Sequence, residues 1–173
     1  MELKIKIKPW LKGLHIVFAC AWIGTVLSVG LIHLIMARPD AEINLYSVTT
    51  TMELIDYYII APSAIGCLLT GLAFSAFTSW GFIKFYWVLL KWITTIIQIL
   101  VGTFYMTPWL KTMVSLSKVK GFDPLNSQYR QVYNLNTYVG IGQILLLIAI
   151  VFISVLKPWG RRKPKRILKI INT

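Results

Sequence analysis

Chemistry-bearing side chains are scarce in this chain. Its 173 residues include two histidines, two cysteines and six acidic residues. So few ligating groups exclude the dense His, Cys and carboxylate cluster that holds zinc. The sequence also contains no HExxH, P-loop or GxSxG pattern. The histidines, His15 and His33, are 18 positions apart. On one helix that is five turns, so they share a face but stand roughly 27 Å apart. They cannot ligate one iron, which excludes a bis-histidine haem within one chain and a four-histidine, two-haem arrangement. Cys20 and Cys67 form no CxxC and fall in apolar stretches, where a free cysteine behaves as a small hydrophobe. Long linkers, low-complexity tracts and internal repeats are lacking too, leaving a single membrane domain over residues 1–173. No cleavable signal peptide is evident, because the first apolar stretch exceeds a signal h-region and no small-residue cleavage site follows it.

What the chain has is hydrophobicity. Apolar residues make up 57% of it, with a mean hydropathy of +0.68, which fits an integral membrane protein. Four continuous apolar stretches, near 10–36, 54–77, 82–110 and 136–156, are each long enough to cross a bilayer as a helix. The expected fold is an all-α, antiparallel four-helix membrane bundle. Two loops, 37–53 and 111–135, join the spans on one side; the first opens on Arg38-Pro39-Asp40 and the second contains the turn Gly121-Phe122-Asp123-Pro124. The second is long enough to cover the mouth of the bundle. A short turn at Thr78-Ser79-Trp80-Gly81 makes the second and third helices neighbours, and Pro62 predicts a kink.

Charge sets the expected orientation. Twelve basic residues flank one side: Lys4, Lys6, Lys8, Lys12, Lys84 and the tail from Lys157. Five flank the other: Arg38, Lys111, Lys118, Lys120 and Arg130. The positive-inside rule puts both termini in the cytoplasm of a multi-pass cell-membrane protein. The net charge of +12 carries no nucleic-acid motif with it. The tail Arg161-Arg162-Lys163-Pro164-Lys165-Arg166 follows a span directly and reads as a contact with anionic headgroups of the bilayer. Trp10, Trp80, Trp109 and Trp159 sit at span ends as interfacial anchors.

Polar residues inside the spans recur at seven-residue intervals. They are His15 and Trp22; Asp56, Ser63 and Thr70; Lys84, Lys91, Gln98 and Tyr105; and Asn136 and Gln143. That spacing is the seam of a left-handed bundle, with Gly24, Gly66, Gly71, Gly140 and Gly142 beside it to permit close approach. A lysine deep in a span costs about 2.5–3.5 kcal/mol to insert, so Lys91 is a functional candidate by default. His15 and Lys91 lie at nearly the same depth, with Thr70 and Ser154 near that level. Lys91 can ligate iron as an amine or pair with a haem propionate as an ammonium. Trp22 and Trp92 could pack a macrocycle and Gln98 could bond within the pocket; Trp87 is also deep. A second polar level collects His33, Asp56, Tyr57, Tyr105 and Asn136, and suits a proton path, a second cofactor contact or a quinone pocket.

The runs Leu11-Lys12-Gly13-Leu14-His15-Ile16, Ala21-Trp22-Ile23-Gly24 and Trp87-Val88-Leu89-Leu90-Lys91 carry a family likeness. They resemble the superfamily of small helical membrane proteins that includes HemJ-type protoporphyrinogen oxidases and CopD-like membrane domains. The resemblance covers the first and third helices. It implies haem b, with the helix-one histidine and the later lysine, His15 and Lys91, at the cofactor. The stretch Thr25-Val26-Leu27-Ser28-Val29-Gly30 lacks the Pro-Arg segment of HemJ-type members, which counts against protoporphyrinogen oxidation specifically. Two histidines and no methionine pair at ligand spacing count against copper handling.

The sequence therefore points to a haem b-binding membrane protein, with iron ligands His15 and Lys91, in electron transfer or haem and porphyrin handling. A haem-dependent membrane oxidoreductase would be the enzyme class. The alternatives are a cofactor-free transporter or channel subunit lined by Lys91, Gln98 and Asp56, and an accessory subunit whose Lys91 meets a partner's acid. A redox partner, a membrane subunit and a homo-oligomer are all open.

Overall fold

The computed structural model describes residues 2–36, 44–77, 84–119, 122–123 and 125–159, with side chains from residue 9 onward. Four long helices carry the fold: α1 (Glu2–Met36), α2 (Leu45–Phe77), α3 (Tyr86–Ser117) and α4 (Ser127–Leu156). Each is long and apolar enough to span a membrane, α1 over Pro9–Met36. The all-α, four-span class is the one expected. Consecutive helices pack together and α4 closes the ring against α1. Their contacts run antiparallel: Phe18 lies over Gly66 while His15 reaches Thr70. Exposed Leu, Ile, Val and Phe cover the outside, as a surface facing lipid requires.

Four span limits differ from the sequence expectation. Helix α3 begins at Tyr86, after an extended Phe85, rather than near 82. Helix α2 begins at Leu45 rather than near 54, α3 continues to Ser117 rather than ending near 110, and α4 starts at Ser127 rather than near 136. Much of both expected loops is thus helical. Asn44 and Asn126 explain the early starts: their side chains accept from the amides of Ser47, and of Gln128 and Tyr129. The polar run after Asn44 looks loop-like, yet its hydroxyls fold back on the helix, Thr49 to Leu45 O at 2.7 Å and Thr51 to Ser47 O at 2.8 Å. That leaves an inner face on which Met52 is fully buried, as is Met113 of α3, and Thr49 bonds Ser117 at 3.1 Å. The fully buried side chains Met52, Met113 and Thr49 therefore lie where the sequence suggested loops. The Arg38-Pro39-Asp40 signal, the 78–81 turn, Phe82, Gly121, Pro124 and the tail from 160 lie outside the described residues. Asp123 does form a turn, accepting from the Leu125 amide at 2.8 Å.

The kink predicted at Pro62 takes the form of a π-helical turn, Asp56–Ile60, and α3 carries a second, Gly102–Met106. Each ends two residues before a proline, Pro62 or Pro108. Proline lacks an N–H and its ring crowds the carbonyl one turn back, and a widened turn accommodates both. The amide of Ala61 bonds Asp56 O, and that of Thr107 bonds Gly102 O. Each turn adds one residue, so the seven-residue seam slips there. Gln98 is buried, but Tyr105 is 55% exposed, and Met106 lines the interior in its place. Of the glycines expected at the seam, Gly66 makes the close approach: a Cβ there would stand 2.5 Å from the Phe18 ring. Gly24 and Gly142 face open space, and Gly71 and Gly140 make only ordinary contacts.

Candidate functional site

Among the described residues, two cavities stand one above the other in the bundle. Between them Trp22 of α1, Ala64 of α2 and Leu147 of α4 form a buried plug, with Ile99 of α3 against it. Trp22 borders both cavities.

The cavity toward the end that carries both termini measures about 380 Å³. His15, Lys91, Trp22 and Trp92 all line it, so four of the five expected cofactor residues converge. Gln98 does not join them. It stands two helical turns beyond Lys91, on the far side of the plug, where it lines the other cavity. There Gln98 and Gln143 bridge α3 and α4 reciprocally, each side-chain amide reaching the other's carbonyl at 3.4–3.5 Å.

The sequence reading missed three features of the first cavity. Cys67 is one, with its sulfur 3.9 and 4.0 Å from the two ring nitrogens of His15. Phe74 meets the same ring edge-on. The third is a set of lysines: Lys12 and Lys157 line the cavity beside Lys91. Lys157 is delivered by the end of α4, where it takes a left-handed backbone (φ 47°) before Pro158, and its amide bonds Ile153 O. Lys91 lies close enough to His15 and Cys67 to interact electrostatically with both. Ser154 lines this cavity but donates to Ile150 O at 2.6 Å.

His15 is held by Thr70. Its Nδ1 lies 2.7 Å from the Thr70 hydroxyl oxygen, and that hydroxyl is 2.7 Å from Gly66 O. A hydroxyl has one proton. Donated to Gly66, it leaves the oxygen to accept from His15, which assigns the histidine proton to Nδ1 and the lone pair to Nε2. This is the arrangement in which a second-shell oxygen prepares an imidazole to ligate.

The other cavity, about 430 Å³, collects His33, Asp56 and Asn136 as expected. Tyr57 and Tyr105, expected with them, face outward at 68% and 55% exposure. Both sit in π-helical turns, where the extra residue rotates them off the seam. The two turns meet here: the Thr107 hydroxyl donates to Asp56 Oδ2 at 2.7 Å, and Asn136 Nδ2 donates to Met106 O at 3.3 Å. Tyr133 donates to His33 O at 2.6 Å, tying α4 to α1.

Comparison with known proteins adds one match. Residues 9–158 fit the model of a family described as "Predicted integral membrane protein (DUF2269)". No curated protein and no solved structure matches the chain. With four spanning helices and a family match over nearly all of its length, the chain belongs to the DUF2269 family of integral membrane proteins.

Proposed function

We propose that this protein binds haem b in the cavity near the termini, where His15 would hold the iron, and acts in electron transfer or in haem and porphyrin handling. The observation that carries the proposal is the Thr70–His15 hydrogen bond: with the Thr70 proton on Gly66 O, His15 donates from Nδ1 and Nε2 is left for a metal. Lys91 serves as second ligand or as partner to a propionate. Among the described residues no three His, Cys, Asp or Glu side chains stand together as a metal site. A bare ion would find too few ligands, whereas a macrocycle brings its own nitrogens and needs only axial ones. Three lysines around one apolar cavity suit a flat apolar group with carboxylate edges. Trp22, Trp87, Trp92 and Phe74 supply the flat walls, and the volume is within the range of cofactor pockets.

Haem b would supply one-electron chemistry. His15, oriented by Thr70, would tune the iron potential by holding it. Lys12, Lys91 and Lys157 would neutralise propionates. The plug of Trp22, Ala64 and Leu147 would keep the site closed from the second cavity. It also interrupts a continuous polar path, which disfavours a cofactor-free transporter. The HemJ- and CopD-like resemblance belongs with this reading, as does a cytoplasmic placement of both termini from the charge asymmetry.

The test is an absorption spectrum of detergent-purified protein, oxidised and dithionite-reduced, for wild type, His15→Ala and Lys91→Ala. A Soret band that shifts on reduction and weakens in His15→Ala supports the proposal. A wild type that stays colourless with added haemin overturns it.

A further inference from the structure

We propose that the second cavity binds a neutral, lipid-soluble quinone or its hydroquinone, with the head group at His33. Both ring nitrogens of His33 are buried without a hydrogen-bond partner among the described residues, although only 5% of the residue is exposed. Asn136 interacts with the ring through its amide oxygen, while its amide nitrogen donates to Met106 O, and no bond of good geometry reaches either imidazole nitrogen among the described residues. Gln98, 2% exposed, leaves its Oε1 equally unpaired at the opposite end of the cavity. A buried polar group without a partner is costly, so two facing one cavity mark it as built for a ligand.

Charge narrows the ligand class. The side chains lining this cavity include one carboxylate, Asp56, and no lysine or arginine, in contrast to the three lysines of the first cavity. A fatty acid, a phospholipid phosphate or a haem propionate would meet Asp56 inside the cavity, while the cation acting on Asp56, Lys111, stands outside the lining. The ligand is therefore neutral. Access narrows it further. Leu27, Leu31, Leu34, Ile65 and Ile141 line the cavity and are also exposed on the apolar exterior, so the mouth opens sideways onto lipid tails. A ligand arriving that way is membrane-soluble.

The head group follows from the imidazole. A neutral histidine presents one donor and one acceptor nitrogen. A quinone carbonyl matches the donor and a hydroquinone hydroxyl matches the acceptor, so the two members of one couple satisfy the same side chain. Trp22 and His33 are 11 residues apart on α1, which makes the cavity roughly 16 Å long. That accommodates a substituted ring at His33 and the first part of a chain along Val26, Ile99 and Ile144.

The test uses the full chain in detergent micelles, titrated calorimetrically with a decyl-substituted benzoquinone against empty micelles. Saturable binding at one site is expected. His33→Phe should weaken it about tenfold, the equivalent of one lost hydrogen bond of about 1.4 kcal/mol. Gly102→Leu is the second variant. Gly102 lines the cavity on a helical backbone, and a Cβ there meets nothing within 4 Å, so a larger side chain fills the space without strain and should abolish binding. Oleate, an anion of similar apolar character, should not compete. Wild-type protein that binds no quinone, oleate that competes as well as the quinone does, or Gly102→Leu that binds like wild type would each overturn the assignment. The readout does not involve the lysine-lined cavity, so a failure here leaves the haem proposal standing, and a colourless protein leaves this one standing.

Discussion

Replacing Thr70 by valine isolates the feature on which the haem proposal rests. Valine keeps the shape of the side chain and removes the oxygen that lies 2.7 Å from His15 Nδ1. The imidazole then loses the acceptor that orients it, and its proton is free to occupy either nitrogen. Losing a second-shell partner of a metal ligand costs 10–100-fold in affinity, or about 1.4–2.8 kcal/mol. The variant also loses the hydroxyl contact to Gly66 O, but within a helix that carbonyl keeps its backbone partner, so α2 should be little affected. The assay is titration of the purified protein with haemin, followed in the Soret region, for wild type, Thr70→Val and Thr70→Ser. Serine restores the oxygen and should recover most of the affinity. Equal affinity in wild type and Thr70→Val would refute the tautomer reasoning, because His15 would then need no orienting partner.

Three further outcomes test other parts of the structure. Lys91→Arg should retain haemin if the side chain pairs with a propionate and lose it if the amine ligates iron; Soret titration alongside Lys91→Met, which removes the charge, separates the roles. Gly66→Ala should destabilise the bundle by about 1–3 kcal/mol, because the new methyl would meet the Phe18 ring at 2.5 Å; Gly24→Ala, facing open space, should leave the unfolding temperature in detergent unchanged. A double-mutant cycle on Asp56→Asn and Thr107→Val, read by denaturant unfolding in micelles, should give a coupling of about 0.6–1.7 kcal/mol for the bond between the two π-helical turns. A coupling of zero would mean that the turns are not joined by that bond.

Much of this protein was legible in its sequence. Continuous apolar runs can cross a membrane only as helices, since lipid offers backbone groups no partner. Depth along a helix follows from counting residues, so His15 and Lys91 on one level and His33, Asp56 and Asn136 on another could be read without coordinates. What counting could not supply was rotation and end state. The π-helical turns before Pro62 and Pro108 each insert a residue into the seam, and that turned Tyr57 and Tyr105 to the outside and brought Met106 in. Asn44 and Asn126 made helix out of stretches whose composition reads as loop. Cys67 beside His15, the additional lysines, and the placement of Gln98 beyond the Trp22 plug depend on which faces of four helices meet. The sequence by itself determined a four-span membrane bundle with two levels of polar residues. Tertiary packing decided that those levels are separate cavities, one lined with lysines around an oriented histidine, the other with an unpartnered histidine and a lone carboxylate.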